Sequence, residues 1–331
     1  MVSGIYIPIP PQHKYRYSFI MKELKAFFRL IRWPNLLFIL LTQMMFRYFI
    51  LPFVYAESGA GYILKLTEFL FYLLAIASVC IAAAGYIIND YFDVNIDQVN
   101  KSGRVVIGAI IRKRMAILLH AVLSVIGLAL SGYVGYHLDN FYIPLFNLLA
   151  IFVLWFYSTT FKKKLLIGNV LISLLTAWVI LVLTVAEFRI GIKPEDLVWQ
   201  RILKISFVYS GFAFIISLIR EVIKDMEDIE GDMRYGCTTM PIVWGMQVSK
   251  VFIAVWIVVL VGLLAAIQIY VIHFDWWLYA LYLLVTVILP LVWVLYSLYY
   301  SNTTAQFHQL STRIKMIMFA GILSMIFFNF H

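Results

Sequence analysis

The chain is written in long apolar blocks separated by short polar stretches. The blocks fall at about 33–55, 66–89, 115–136, 140–160, 168–188, 202–223, 250–273, 276–300 and 313–330, each near the roughly 20 residues that cross about 30 Å of hydrocarbon as a helix. They are apolar on every face and rich in Leu, Ile and Ala, whereas membrane barrel strands alternate polarity over about 10 residues. The pattern predicts an all-α polytopic membrane protein with nine transmembrane helices and termini on opposite sides. Ahead of the first block, Lys22, Lys25, Arg29 and Arg32 recur at helical spacing on one stripe, with Phe19, Phe27 and Ile31 on other faces. That stripe predicts an amphipathic helix lying on anionic lipid. Two parts follow: residues 1–32, a surface segment, and residues 33–331, one membrane domain.

Composition strengthens this division. Of 331 residues 63% are hydrophobic and only 13% charged, which excludes a water-soluble fold, where roughly half the residues are apolar. The net charge of +9 would fit a nucleic-acid partner if the basic residues formed one patch. They occupy alternate loops instead. Most lie on the N-terminal side, and the opposite side holds Lys65, Arg189, Lys193, Arg201 and Lys204, with Arg47 inside the first block. The positive-inside rule then makes the N-terminus cytoplasmic and explains the charge without nucleic acid. Two cysteines, Cys80 and Cys237, cannot build a disulfide framework, and the Pro-rich start lacks a signal-peptide layout, so the first span both targets and anchors the chain.

The chemistry concentrates in two stretches on the cytoplasmic side. Asp90, Asp93 and Asp97 follow the second block, and Asp225, Asp228 and Asp232 follow the sixth, with the same spacing of three then four. On a continuing helix those offsets fall near 300° and 340°, roughly one face. Glu221 shares the second face one turn deeper, while Glu227 and Glu230 point away. A single acidic triplet is as well explained as a solvated face. Two identical ones, each leaving a span on the same side, point to a shared ligand. Carboxylates so gathered repel by about 4 kcal/mol per pair at 4 Å, and divalent cations relieve this. Oxygen-only donors select Mg²⁺ or Ca²⁺, and the six histidines are scattered outside both triplets, which disfavours zinc.

Cations surround both triplets: Lys101, Arg104, Arg112, Lys113 and Arg114 after the first, and Arg220, Lys224 and Arg234 around the second. Metal with Arg and Lys about one point holds a diphosphate and neutralises charge building on a leaving group. A diphosphate with a long hydrocarbon tail suits a site opening at the membrane surface. Tyr157 and the run Lys162 to Lys164 add a further phosphate contact, although the run alone also reads as a topology signal. Cys237 reads as an ordinary loop residue and Asn169 as a helix-start residue.

These stretches match a known pattern. Asn89-Asp90-Tyr-Phe-Asp93-Val-Asn-Ile-Asp97 resembles the first Asp-rich motif of the UbiA superfamily of intramembrane prenyltransferases, and Lys224-Asp225-Met-Glu-Asp228-Ile-Glu-Gly231-Asp232 resembles the second. Arg32-Trp-Pro34-Asn35, Tyr157-Ser158 and the Gly236, Thr238, Thr239 and Pro241 that follow also fit, over about residues 30–300. The resemblance implies nine helices around a central lipid-open cavity capped by the two motif loops, and Mg²⁺-dependent ionisation of an isoprenyl diphosphate whose allylic cation an acceptor captures. It implies that Asp90, Asp93 and Asp97 hold one Mg²⁺ and Asp225, Asp228 and Asp232 another. Lys101, Arg104, Lys162 and Lys224 would hold the diphosphate, Asn35 and Asn89 would line the cavity, and Tyr86 is the aromatic best placed for the cation.

Two departures stand out. The first Lys follows Tyr157 by five residues rather than the usual four, leaving open which of Lys162, Lys163 and Lys164 acts. Arg104 is followed by Val105 rather than Pro. The second motif is most similar to the branch whose acceptor is geranylgeranylglyceryl phosphate, for which Arg112, Lys113 and Arg114 offer a second anion site. Aromatic acceptors on the way to quinones, and chlorin or haem acceptors, share both motifs. An ion-coupled transporter would place ionisable groups at mid-membrane, where only Arg47 lies.

Overall fold

The computed structural model describes residues 12–56, 64–100, 105–188 and 196–330. Helix α1 spans Gln12–Leu30. Nine helices long and apolar enough to cross a membrane follow among the described residues. They are α2 (Trp33–Ala56), α3 (Glu68–Asn100), α4 (Lys113–His137), α5 (Tyr142–Thr159), α6 (Ile167–Glu187), α7 (Leu197–Glu227), α9 (Gly245–His273), α10 (Trp277–Tyr300) and α11 (Thr304–Asn329), with the short α8 (Ile229–Arg234) after α7. The sequence-expected spans recur with one systematic difference. Helices extend beyond the apolar blocks on the motif side: α3 runs well past its block, to Asn100, α7 about one turn past, to Glu227, and α11 begins nine residues ahead of its block, at Thr304.

Packing follows side-chain size. Helix α3 lies closely along α4, because α3 presents small residues such as Ala77 and Ala84 and α4 answers with Gly127. A Cβ on Gly127 would stand 2.7 Å from Ile81 Cγ1 and 3.1 Å from the Ala77 carbonyl, so only glycine admits this approach. A second core joins α7, α9, α10 and α11 through Ile216, Ile219, Ile253, Ile257, Leu291 and Ile314. Outward faces stay apolar, as at Val125, Ile269 and Leu278, and exposed apolar rows fit lipid rather than water. Helices α2 and α10 each widen into a π turn, Phe46–Ile50 and Leu284–Ile288, beside Pro52 and Pro290, where the ring removes an N–H from the regular ladder.

Buried polar groups are tied across helices, as an interior without water requires. At mid-depth Gln43 Nε2 donates to Ser78 Oγ and to the Val179 carbonyl, both at 3.0 Å, joining α2, α3 and α6. At the end remote from the Asp motifs, Glu187 is buried and accepts from Tyr55 Oη at 2.8 Å and from the Lys65 and Leu66 amides at 3.0 Å. Arg47 is also buried there and donates to the Leu66 carbonyl at 3.0 Å.

Candidate active site

Helices α2, α3, α5, α6, α7 and α11 enclose a cavity of about 350 Å³ at the motif end. Its upper wall is charged. Asp93, Asp97, Asp225, Asp228, Asp232 and Glu221 face it, and so do Arg32, Lys162, Lys163, Arg220, Lys224 and Lys315. Asn35, Asn89, Tyr86 and Tyr157 stand between them, and below lie Phe38, Ile39, Ile81, Ala82, Leu154, Ile172, Leu175, Val179 and Met318. A polar head and an apolar tail are therefore accommodated in one space.

The first triplet sits on one face of α3, as its spacing predicts, because the helix continues unbroken to Asn100. Its carboxylates do not meet at a point. Asp90 Oδ1 turns to Arg32 Nη2 at 2.7 Å, while Asp93 accepts from Lys162 Nζ at 2.5 Å and from Asn89 Nδ2 at 2.9 Å. Opposite charge draws each carboxylate towards its own partner and away from its like-charged neighbours. Accordingly, among the described residues no three acidic, His or Cys side chains are gathered into a preformed metal cage.

The second triplet departs further from the expected single face. Helix α7 ends at Glu227, Asp228 adopts φ −95° and ψ 10°, and α8 restarts at Ile229, so Asp232 lies beyond a break. Asn100, at the end of α3, spans that break: its Nδ2 donates to the Asp228 carbonyl at 3.1 Å and its Oδ1 accepts from the Gly231 amide at 2.9 Å. A Cβ on Gly231 would stand 2.4 Å from Asn100 Oδ1, which explains the glycine inside the motif. Thr238 fixes the loop that follows, donating from its amide and its Oγ1 to the Lys163 carbonyl at 2.7 and 2.9 Å. The turn carrying Lys162 is thereby locked to the second motif.

Most expected residues reach the cavity: Asn35, Asn89, Asp93, Asp97, Tyr157, Lys162, Lys224, Asp225, Asp228 and Asp232 all line it. Asp90 is held at its edge by Arg32, and Lys101 and Arg104 lie outside the described residues. Of the three lysines, Lys162 and Lys163 face the cavity, while Lys164 packs over the Phe161 ring at 5.8 Å. Two readings need correction, those of Arg32 and Glu227, and that of Asn169 is extended. Arg32 leaves the stripe of α1 because its backbone turns left-handed, φ 51° and ψ 51°, and swings the guanidinium over Tyr86 at 5.1 Å and onto Asp90. Asn169 starts a helix but its Nδ2 also donates to Asp225 Oδ2 at 2.8 Å. Glu227, expected to be solvated, meets His308 Nδ1 at 2.8 Å.

Sequence reasoning missed Asn100, Asn147 and Lys315. Lys315 lies 280 residues from its partner Asn35 and carries no motif; its Nζ donates to Asn35 Oδ1 at 2.8 Å. Cys237 lines the cavity but is a poor nucleophile, since burial and then the Asp232 carboxylate push its thiol up to about 11. The donor set fits a hard divalent cation. It consists of oxygens, and Asn89 Oδ1 is buried without a partner beside Asp93, an acceptor that a cation would satisfy.

An all-α membrane bundle with paired Asp motifs and cations over an apolar chamber defines the class of intramembrane enzymes. Residues 44–321 match the UbiA prenyltransferase family, and the chain belongs to it. It is 34% identical over 174 residues to digeranylgeranylglyceryl phosphate synthase of Methanothermobacter thermautotrophicus, a match spanning 52% of this chain and about half, 54%, of that protein. To the synthase of Sulfurisphaera tokodaii it is 30% identical over 240 residues, 71% of this chain and 77% of the relative. A solved UbiA homologue from Aeropyrum pernix superposes with TM-score 0.60 at 19% identity, covering 90% of this chain and 97% of that one. A homologue from Archaeoglobus fulgidus bound to DMAPP and Mg²⁺ gives 0.53 at 16% identity, covering 90% and 99%. These two likenesses concern the fold.

Proposed function

We propose that the protein transfers a geranylgeranyl group from its diphosphate to geranylgeranylglyceryl phosphate. The observation that carries the reading is the single cavity in which both Asp motifs and six basic side chains stand above an apolar floor. The names of the two synthase relatives support the acceptor, and the ligands of the Archaeoglobus homologue support the donor class and the metal. When bound, Mg²⁺ supplies positive charge against the diphosphate oxygens. Asp90, Asp93 and Asp97 would hold one ion and Asp225, Asp228 and Asp232 another, with side chains released from Arg32, Lys162 and Asn169.

In this reading Lys162 and Lys224, with Lys101 and Arg104, which follow α3 in the sequence, bind the diphosphate and neutralise it as the carbon–oxygen bond breaks. The electron pair leaves with the diphosphate, and the allylic cation passes beneath Tyr86 and Tyr157, whose ring faces attract it. The acceptor hydroxyl oxygen then bonds to the terminal carbon, and its proton passes to the released diphosphate. The apolar floor excludes water, which would otherwise capture the cation. Orientation follows from the basic loops: the motif end faces the cytoplasm, with α1 lying at the interface ahead of the membrane domain.

The test is incubation of detergent-purified protein with labelled geranylgeranyl diphosphate, Mg²⁺ and geranylgeranylglyceryl phosphate, with mass analysis of the extracted lipid. The expected product is a double-chain ether phospholipid, lost on chelation. Prenylation of an aromatic acid in its place would overturn the acceptor while leaving the chemistry.

A further inference from the structure

The cavity's charge is unevenly distributed: among the described residues Lys162, Arg32, Arg220 and Lys224 meet carboxylates, whereas Lys315, deeper on α11, meets none. Lys315 projects from α11 at the level where α2 and α11 cross; its Nζ rests on Asn35 Oδ1 at 2.8 Å and lies 5.0 Å from the centre of the Phe38 ring. Among the described residues no carboxylate pairs with it. The charged group acting on it is another cation, Arg220. Arg220 also lines the cavity and gives one nitrogen to Glu221 at 3.2 Å, but Glu221 is shared with Lys224 at 3.1 Å, and Arg220 Nε is buried without a partner. Two neighbouring cations thus face an apolar-walled space with less than one carboxylate between them. Uncompensated like charge in an interior is costly, and an occupant of opposite sign relieves it.

That occupant is distinct from the diphosphate assigned above. The diphosphate belongs with the Asp motifs and Lys162, whereas among the described residues Lys315 bonds to Asn35 and makes no ion pair with an Asp of either motif. A phosphate monoester carries about −1.5 to −2 near neutral pH, which two cations match. Directly below, Phe38, Ile39, Val179 and Met318 pass from the main cavity into a smaller apolar one of about 80 Å³ reaching Phe212, Gly321 and Met325. A chain attached to the phosphate has somewhere to go.

We infer that Lys315 and Arg220, with Asn35 steadying the lysine, form a phosphate-monoester site that selects a phosphorylated single-chain lipid as acceptor. Arg112, Lys113 and Arg114, expected from the sequence to offer this second anion site, start α4 away from the cavity wall. The site rests on the prenyl-transfer reading for its purpose but not for its binding chemistry.

Binding is therefore measured first, without Mg²⁺ or donor, using purified full-length protein with geranylgeranylglyceryl phosphate and with its dephosphorylated alcohol. The wild type should bind the phosphate form more tightly, and Lys315→Met should weaken it by about 10- to 100-fold, the worth of a charge-assisted hydrogen bond. The alcohol's affinity should stay within about twofold, and Lys315→Arg should restore most of the loss. In turnover, Lys315→Met should raise KM for the phosphorylated acceptor and leave the KM of geranylgeranyl diphosphate unchanged. Equal weakening of both lipids, a raised donor KM, or no phosphate preference in the wild type overturns the site. Phosphate binding that depends on Lys315 but yields no ether product leaves the site standing and overturns the reaction proposed above.

Discussion

Replacing Asn100 by Ala removes the clamp between the first motif's helix and the break in the second motif. The side chain makes two hydrogen bonds, to the Asp228 carbonyl and from the Gly231 amide. At about 0.5–1.5 kcal/mol each, the loss is about 1–3 kcal/mol, which corresponds to roughly 5- to 150-fold in any step that needs Asp228 and Asp232 in place. The effect is local, because α3 and α7 keep their packed faces. Half-maximal Mg²⁺ for product formation should rise while the melting temperature changes little. Gly231→Ala should act through the same atoms, since its Cβ would stand 2.4–2.5 Å from Asn100 Oδ1, Cγ and Nδ2. The two substitutions should therefore be strongly non-additive: in the Asn100→Ala background the second methyl meets no obstacle. The assay is a double-mutant cycle on initial rates across a Mg²⁺ series. Independent, multiplying effects, or an Asn100→Ala rate within twofold of wild type, would refute the clamp.

Other outcomes follow from the same geometry. Asp93→Asn and Asp225→Asn should each lower single-turnover product formation by about 10²- to 10³-fold even at saturating Mg²⁺; losses under tenfold would remove those carboxylates from the proposed metal sites. Glu187→Gln places an amide NH₂ among three donors, from Tyr55, Lys65 and Leu66, and should destabilise the far end by about 2 kcal/mol. A thermal-shift comparison in detergent reads this, and an unchanged midpoint contradicts the lock. With its thiol pushed up to about 11, Cys237 is about one part in a thousand thiolate at pH 8. In a Cys80→Ala background its alkylation rate should climb about tenfold per pH unit from 7 to 10; a plateau near pH 9 would show an ordinary thiol.

The helical bundle was readable from the apolar blocks because each span must hide its own backbone bonds from lipid, which leaves a long, continuous signature. Asp93, Asp97, Asp225 and Asp228 were readable because their spacing repeats, whereas the basic run after Tyr157 did not tell which of its lysines faces the cavity. What escaped was set by contacts between distant segments or by one backbone angle. Arg32 belongs by spacing to the stripe of α1, and only its left-handed turn sends it to Asp90. The break at Asp228 gives no local warning, since Glu227-Asp228-Ile229 contains neither Pro nor Gly. Lys315 counts, by sequence, as one more basic residue ahead of the last span, and its place beside Asn35 arises only when α2 and α11 cross.

Helix α3 has a mechanical consequence. It is one unbroken rod of 33 residues, about 50 Å long and thus about 20 Å longer than the hydrocarbon it crosses. The acidic face rides on the overhang, and nothing between the lipid-embedded length and Asp97 can bend to absorb a displacement. A thicker bilayer draws the carboxylates down towards the hydrocarbon, and a thinner one lifts them into the headgroups. Membrane thickness is thereby coupled, through one rigid helix, to how wet the charged end of the cavity is.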